Sequence, residues 1–316
     1  MIRKREIPVY VFTGLLESGK TTFIRETLRE GDFEDGDKTL YLMCEEGVEE
    51  CEEALLKRNK MTVVPVEDQE DLSEAFLLEC EAKYRPDRIM IEYNGMWNPE
   101  ELLEMFPEHW LLVQVIATVD ATTFPVYLNN MKALLMAQVK LADLVLFNRC
   151  DADTDRGSFR RSIKALNRKA QIMYETVDGA TDDQFEEQLP FDVEASFIDL
   201  EDDDFGLWYL DAMDNPERYK GKTVKFTGQV YRGKAFANDL LVPGRFAMTC
   251  CADDIAFIGF LCHAKGADQW KQKDWVTVTA KVSVEYCKDY KGKGPVLYAT
   301  ELTAASAPEE SIVYFS

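Results

Sequence analysis

The sequence contains no Cys-x-x-Cys pair, although it holds eight cysteines: Cys44, Cys51, Cys80, Cys150, Cys250, Cys251, Cys262 and Cys287. Neither a zinc ribbon nor a thioredoxin-type redox site is therefore spelled out. Histidine is scarce, with only His109 and His263. No apolar run reaches the roughly 18 residues that a membrane-spanning helix needs. The opening stretch, "MIRKREIPVYVF", has basic residues but no small-residue cleavage site, and it reads as a strand rather than a leader. These absences point to a cytoplasmic protein with no membrane insertion and with reduced thiols. Basic charge is also short in the front of the chain. Residues 1–215 carry 22 Lys/Arg against 47 Asp/Glu, whereas residues 216–316 carry 14 against 11, within an overall net charge of −22. So acidic a front repels nucleic-acid backbones, and no nucleic-acid partner is expected.

What is present suits two domains: 316 residues, 46% hydrophobic and 30% charged. The front alternates strand-like and helix-like segments. "VYVFTG", "KTLYLMCEE", "MTVVPV", "RPDRIMIEYNG", "LLVQVIATVDA" and "ADLVLFNRCD" are short apolar runs suited to buried strands. Helical spacing lies between them, which predicts an α/β fold with a mainly parallel sheet and right-handed crossovers. The texture changes near 190–215, where "LEDDDFG" carries the acid run Glu201 to Asp204. Beyond it, "KTVKFTGQVY", "GRFAMTCC", "AFIGFLC", "DWVTVTAKVSVEY" and "PVLYATELTA" read as strands of a small all-β, OB-like barrel. The expected division is a P-loop NTPase domain over residues 1–195, an acidic linker with a short helix over 196–215, and the β domain over 216–316.

The chemistry starts at "GLLESGKTT", where Gly14-x-x-x-x-Gly19-Lys20-Thr21 is a complete phosphate-binding loop between a strand and a helix. Gly14 and Gly19 let the backbone wrap phosphate oxygens, with Glu17, Ser18 and Thr22 completing the loop. Lys20 would reach the β- and γ-phosphates, and the Thr21 hydroxyl would bind Mg²⁺. Glu92-x-x-Gly95 follows a later strand. An acid there would hold the water shell of Mg²⁺, and the glycine N–H would sense the γ-phosphate. "NRCD" then supplies Asn148 and Asp151 in a pattern close to Asn-Lys-x-Asp. A carboxylate at its end accepts two N–H bonds from guanine, which adenine cannot supply. Lys20, Thr21, Glu92 and Gly95 are the catalytic candidates. No side chain is an obvious general base, and phosphoryl transfer tolerates that. Slow intrinsic hydrolysis is expected, with segments 44–53 and 92–99 moving in response to the γ-phosphate.

Together, "GLLESGKTT", "EYNG", "GMWNP", "TVDA" and "QVKLADLVLFNRCD" resemble the CobW-type GTPases, relatives of HypB and UreG, over about residues 7–180. The resemblance implies GTP, Mg²⁺ and metal homeostasis, with zinc as the metal. The departures are specific. Arg149 stands where the family has Lys, and Cys44 stands where it has Asn. The Cys-x-Cys-Cys metal motif has no counterpart in "TVVPVEDQEDL". Substitute ligands are Cys44, Glu45, Glu46, Glu49, Glu50 and Cys51, which also read as a solvated acidic helix start. "RFAMTCCADD" and the strands around it resemble the C-terminal domain of YcgQ-type proteins over about residues 205–316, which implies a permease subunit as partner. There Cys250, Cys251, Cys262 and His263 form a second candidate metal or thiol cluster, with Cys287 a weaker member. Successive strand residues point to opposite faces, so Cys250 and Cys251 would share an ion only at a bulge or turn, and core packing is the alternative. Three functions follow: a GTP-hydrolysing protein of metal homeostasis that serves a metal client or a permease, a non-metal regulatory GTPase whose β domain binds a protein, and a P-loop ATPase.

Overall fold

The computed structural model describes residues 5–45, 51–182, 188–233, 236–248, 255–288, 290 and 292–315. The chain packs as two units, one of Met1–Arg156 with Lys169–Phe185 and one of Gly157–Arg168 with Glu186–Ser316.

The first part of the chain runs β1 (Ile7–Thr13), α1 (Lys20–Glu30), β2 (Thr39–Met43), α2 (Glu53–Arg58), β3 (Met61–Pro65), α3 (Glu74–Tyr84), β4 (Arg88–Glu92), α4 (Pro99–Glu104) and β5 (Trp110–Asp120). It continues through α5 (Phe124–Asn130), α6 (Lys132–Lys140), β6 (Leu144–Cys150), α7 (Arg156–Leu166), β7 (Gln171–Thr176) and β8 (Thr181–Asp182). One sheet has the order β3-β2-β4-β1-β5-β6-β7-β8, parallel throughout except between β7 and β8. All five residues of β4 are buried, including its terminal Glu92, as expected of a strand covered on both faces. Because the strands are parallel, the carboxyl ends of β1, β2, β4, β5 and β6 share one edge. Open α/β sheets take ligands at that edge.

The second unit contains β9 (Phe197–Asp199), α8 (Phe205–Asp214), α9 (Pro216–Tyr219), β10 (Thr223–Tyr231), β11 (Leu240–Met248), β12 (Ile255–Gly259), β13 (Cys262–His263), β14 (Trp275–Cys287), β15 (Gly292–Ala304) and β16 (Ile312–Tyr314). The pairings β10–β11, β11–β13, β13–β15, β15–β14 and β14–β10 close five strands into a ring. Only β13–β15 in that ring is parallel. This is the OB-like barrel that the strand pattern predicts.

Residues 196–215 differ from the expected solvated linker. Ile198, Leu200, Phe205, Trp208, Leu210, Ala212 and Met213 all belong to the barrel's apolar core. Trp208 lies 5.0 Å from Phe226 and 5.1 Å from Phe260, ring centre to ring centre. The acid run instead forms the turn at the head of α8, where the Glu201 N–H donates to Asp204 Oδ2 at 3.3 Å and negative charge suits the helix N-terminus. Asp202 also pairs with the buried Arg245 guanidinium, whose Nη1 donates to Asp202 O at 2.8 Å. The physical reason is that the barrel's apolar lining needs a cover, and the apolar side chains of "FGLWYLDAM" supply it.

Candidate functional site

The phosphate loop joins β1 to α1 through three left-handed residues, Gly14 (φ 132°), Glu17 (φ 61°) and Gly19 (φ 98°). A side chain at Gly14 would meet Thr118 O at 2.3 Å, and one at Gly19 would meet Asn148 Nδ2 at 2.4 Å. Glycine is therefore required at Gly14 by backbone space as well as by φ, and at Gly19 by φ. The turn aims the N-terminus of the 11-residue α1 into a cavity of about 410 Å³. That cavity is lined by residues 15–22, Glu45, Glu92, Thr118, Val119, Asp120, Thr123, Tyr127, Leu135 and Arg149. Its unpaired helix N–H groups and the helix dipole suit an anion.

Lys20 is buried, and its ammonium donates to Gly14 O at 2.8 Å and Leu15 O at 3.0 Å. It also lies 2.5 Å from Glu45 Oε2. Thr21 Oγ1 donates to Glu92 Oε1 at 2.6 Å, and the Tyr41 hydroxyl donates to Glu92 Oε2. Burial raises the Glu92 pKa, against the lowering pull of those two hydrogen bonds and the Lys20 ammonium. Burial, and after it the same carboxylate, push the Tyr41 phenol well above its usual range. A hydroxyl and a carboxylate side by side are hard oxygen donors of the kind Mg²⁺ takes, so Thr21 and Glu92 fit that ion.

Asn148 and Arg149 tie the end of β6 to the loop. Asn148 Nδ2 donates to Ser18 O at 2.7 Å, and Arg149 Nη1 donates to Glu17 O at 3.1 Å and pairs with Asp120. Arg149 adopts a left-handed backbone (φ 56°) to make this bridge. Burial raises the Asp120 pKa, but bonds from Thr122 and Arg149 outweigh it and lower the value overall. Asp151 is exposed and stands outside the cavity lining. Its Oδ1 accepts from the Asp153 N–H at 3.0 Å and the Thr154 hydroxyl at 2.9 Å.

Gln138 is buried, and sequence reasoning did not single it out. Its Oε1 accepts the Gly14 N–H at 3.3 Å, while its Nε2 donates to Gly95 O at 3.0 Å and Trp97 O at 2.9 Å. One amide thus joins the phosphate loop to the Glu-x-x-Gly loop. Gly95 itself lies against that loop, where a side chain would meet Gly14 O at 2.6 Å and Leu15 Cα at 2.7 Å. Ser18 and Thr118 also pair, hydroxyl to hydroxyl, at 2.8 Å. These ties run between β1, β4, β5 and α6, far apart in the chain. The only signal in the sequence was the position of Gln138 at the head of "QVKLADLVLFNRCD".

Among the described residues, the transition-metal candidates are not brought together. Burial, with the Glu92 and Glu45 charges, pushes the Cys44 thiol up to about 12, and the Glu45 carboxylate is occupied by Lys20. The Cys51 thiol, half-buried, is pushed up to about 11. Glu46, Glu49, Glu50, Cys250 and Cys251 lie outside the described residues. Cys262 and His263 diverge: Cys262 is in the barrel core with its thiol pushed up to about 12 by burial, whereas the His263 ring stacks on Tyr298 and contacts Asp239 Oδ2 at 2.9 Å. Alternation along β13 sends them to opposite faces. Cys287 is buried. Among the described residues no group of three or more His, Cys, Asp or Glu side chains is arranged to hold a metal ion.

The CobW/HypB/UreG nucleotide-binding domain matches residues 8–174. The chain belongs to that family. The DUF1980 C-terminal domain matches residues 176–315, so the chain is a fusion of the two. Among curated relatives, the zinc chaperone YjiA of Escherichia coli is 25% identical over 183 residues, covering 52% of this chain and 56% of that protein. The UPF0703 protein YcgQ of Bacillus subtilis is 27% identical over 117 residues, covering 37% of this chain and 41% of that protein. A two-component membrane permease complex subunit of Streptococcus mutans is 26% identical over 99 residues, covering 31% and 36%. The chain thus spans from about a third to just over half the length of these relatives. The crystal structure of the Zn(II)-bound YjiA GTPase from E. coli aligns with a TM-score of 0.44 at 25% identity, over 56% of this chain and 60% of that one. No described helix is long and apolar enough to cross a membrane.

Proposed function

We propose that this member of the CobW/HypB/UreG family is a GTP-binding and GTP-hydrolysing switch of metal homeostasis. Zinc is its cargo, and its second unit is the part that docks a metal client or a permease-type partner. The observation that carries the guanine reading is the 2.7 Å bond from Asn148 to Ser18 O, which fastens the base-reading element to the phosphate loop. Lys20 and the loop N–H groups hold the β- and γ-phosphates. Thr21 and, through water, Glu92 hold Mg²⁺, which when bound neutralises charge on the phosphate oxygens. The Gly95 N–H faces the γ-phosphate. Asp151 accepts the guanine N1–H and amino group with its carboxylate. The expected result for Asp151→Asn is a loss of GTP affinity of about a hundredfold together with a gain in binding xanthosine triphosphate, since an amide donates where the carboxylate accepted. Competition titrations with GTP, ATP and xanthosine triphosphate measure this. Equal or better ATP binding by the wild-type chain sinks the GTPase reading in favour of an ATPase.

The metal half of the proposal is supported by the family and by the zinc chaperone among the relatives. Zinc titration with and without GTP, on the wild-type chain and on Cys250→Ser and Cys251→Ser, tests it. The expected outcome is binding at or below about micromolar Kd that weakens in the serine variants. If no zinc binds at that level, the second reading holds: a regulatory GTPase with no transition metal, favoured by the absence of a ligand cluster among the described residues.

A further inference from the structure

One carboxylate bridges the phosphate loop and the Glu-x-x-Gly loop. Glu45 follows Cys44 just past the end of β2, and its two oxygens face two different donors. Oε2 lies 2.5 Å from Lys20 Nζ, and Oε1 accepts the Gly95 N–H at 3.3 Å. One donor belongs to the phosphate loop and the other to the Glu-x-x-Gly loop. They are the ammonium and the backbone N–H that a γ-phosphate would take in a site of this kind. The contact is buried, with the Lys20 side chain 2% and the Glu45 side chain 9% exposed. Glu45 also lines the same cavity as Thr21 and Glu92.

The donors are held in place without Glu45. Lys20 is anchored by Gly14 O and Leu15 O. Gly95 is anchored by Gln138 through its carbonyl and by its close approach to the loop backbone. Cys44 is tied to the same edge by its N–H to Glu92 O at 2.9 Å and by Asn94 Nδ2 to its own carbonyl at 3.1 Å. The Glu45 side chain is thus the member of the trio that can leave while the rest of the cradle stays.

We infer that Glu45 is a built-in stand-in for the terminal phosphate, and so the residue by which this site distinguishes a nucleoside triphosphate from a diphosphate. The inference rests on the nucleotide reading proposed above. A diphosphate fills the loop of residues 14–21, sharing Lys20 through its β-phosphate, and leaves Glu45 in its place between Lys20 and the Gly95 N–H. A triphosphate brings anionic oxygens to the same two donors, and two anions cannot share them. The carboxylate swings out, and part of the triphosphate's binding energy goes into releasing it. Glu45 is therefore released by the γ-phosphate and not by the β-phosphate.

Equilibrium titration of the full chain with GDP and with a non-hydrolysable GTP analogue, both with Mg²⁺, tests this on wild type, Glu45→Gln and Glu45→Asp. In Glu45→Gln the triphosphate-to-diphosphate affinity ratio is expected to rise about five- to thirtyfold, because the amide still reaches Gly95 but gives no ionic contact to Lys20. Glu45→Asp keeps the charge on a shorter arm and is expected to lie between wild type and Glu45→Gln. A ratio in Glu45→Gln within twofold of wild type, or below it, overturns the inference. So does a Glu45→Gln protein that binds neither nucleotide while wild type binds both, since Glu45 would then be a required ligand contact rather than a competitor. In either case wild-type binding of both nucleotides leaves the nucleotide reading standing. Wild type binding neither removes both.

Discussion

Lys20→Ala is expected to lower affinity for GTP by about a hundredfold or more, about 2.8 kcal/mol, and to remove measurable hydrolysis. Three effects point the same way. The ammonium that reaches the phosphates is gone. Gly14 O and Leu15 O lose the donor that holds the loop's first turn at 2.8 and 3.0 Å. The Glu45 carboxylate stays in the cavity with no counter-ion, where it repels the incoming triphosphate. Lys20→Arg is expected to rescue little, because a planar guanidinium does not fit a buried position shaped around a single ammonium between two carbonyls. Calorimetric titration with a GTP analogue and single-turnover hydrolysis provide the measurements. Retention of affinity within threefold in Lys20→Ala would count against the loop as the nucleotide's anchor.

The second large effect is on stability. Trp208→Ala is expected to destabilise the second unit by about 3–5 kcal/mol, the range for removing a large buried aromatic. Trp208 is fully buried and touches Phe205, Phe226 and Phe260 with ring centres 5.0–5.7 Å away. Its indole N–H, however, has no acceptor among the described residues. Trp208→Phe keeps most of the ring contacts and removes that unpaired donor, so it is expected to cost well under half as much as alanine. Denaturant unfolding followed by circular dichroism separates the two variants. If alanine proved as mild as phenylalanine, "FGLWYLDAM" would not be the barrel's cover.

The phosphate loop was legible because its conformation is dictated locally. Two glycines with positive φ, a lysine and a hydroxyl at fixed spacing leave the backbone little choice, and the strand before and the helix after follow from apolar spacing. The placement of Glu92 and Gly95 was legible for a related reason, as an acid and a glycine at the tip of a strand. Gln138 was not. Its three bonds reach Gly14, Gly95 and Trp97, and nothing near Gln138 in the chain announces them. Cys262 and His263 misled through adjacency. Neighbours in a strand point to opposite faces, and Cys262 and His263 are neighbours in β13. The acid run at 201–204 misled through composition, since four carboxylates suggest solvent whereas their exposed turn leads directly into a buried helix.

The sequence by itself determined the order of the parts: a glycine-lysine loop of the phosphate-binding pattern, an acid with a glycine, and the Asn-Arg-Cys-Asp segment, all on a parallel α/β sheet, followed by a small barrel. Those are properties of short segments and of apolar period, which a chain carries wherever it folds. The tertiary structure decided what each part touches. It set the Glu45 carboxylate against Lys20 and Gly95, closed Gln138 over two loops, joined Arg149 to Asp120, and parted Cys262 from His263. The strand order β2-β4-β1-β5-β6 brings residues more than a hundred positions apart to one edge, and pleat and burial then choose which side chains face it.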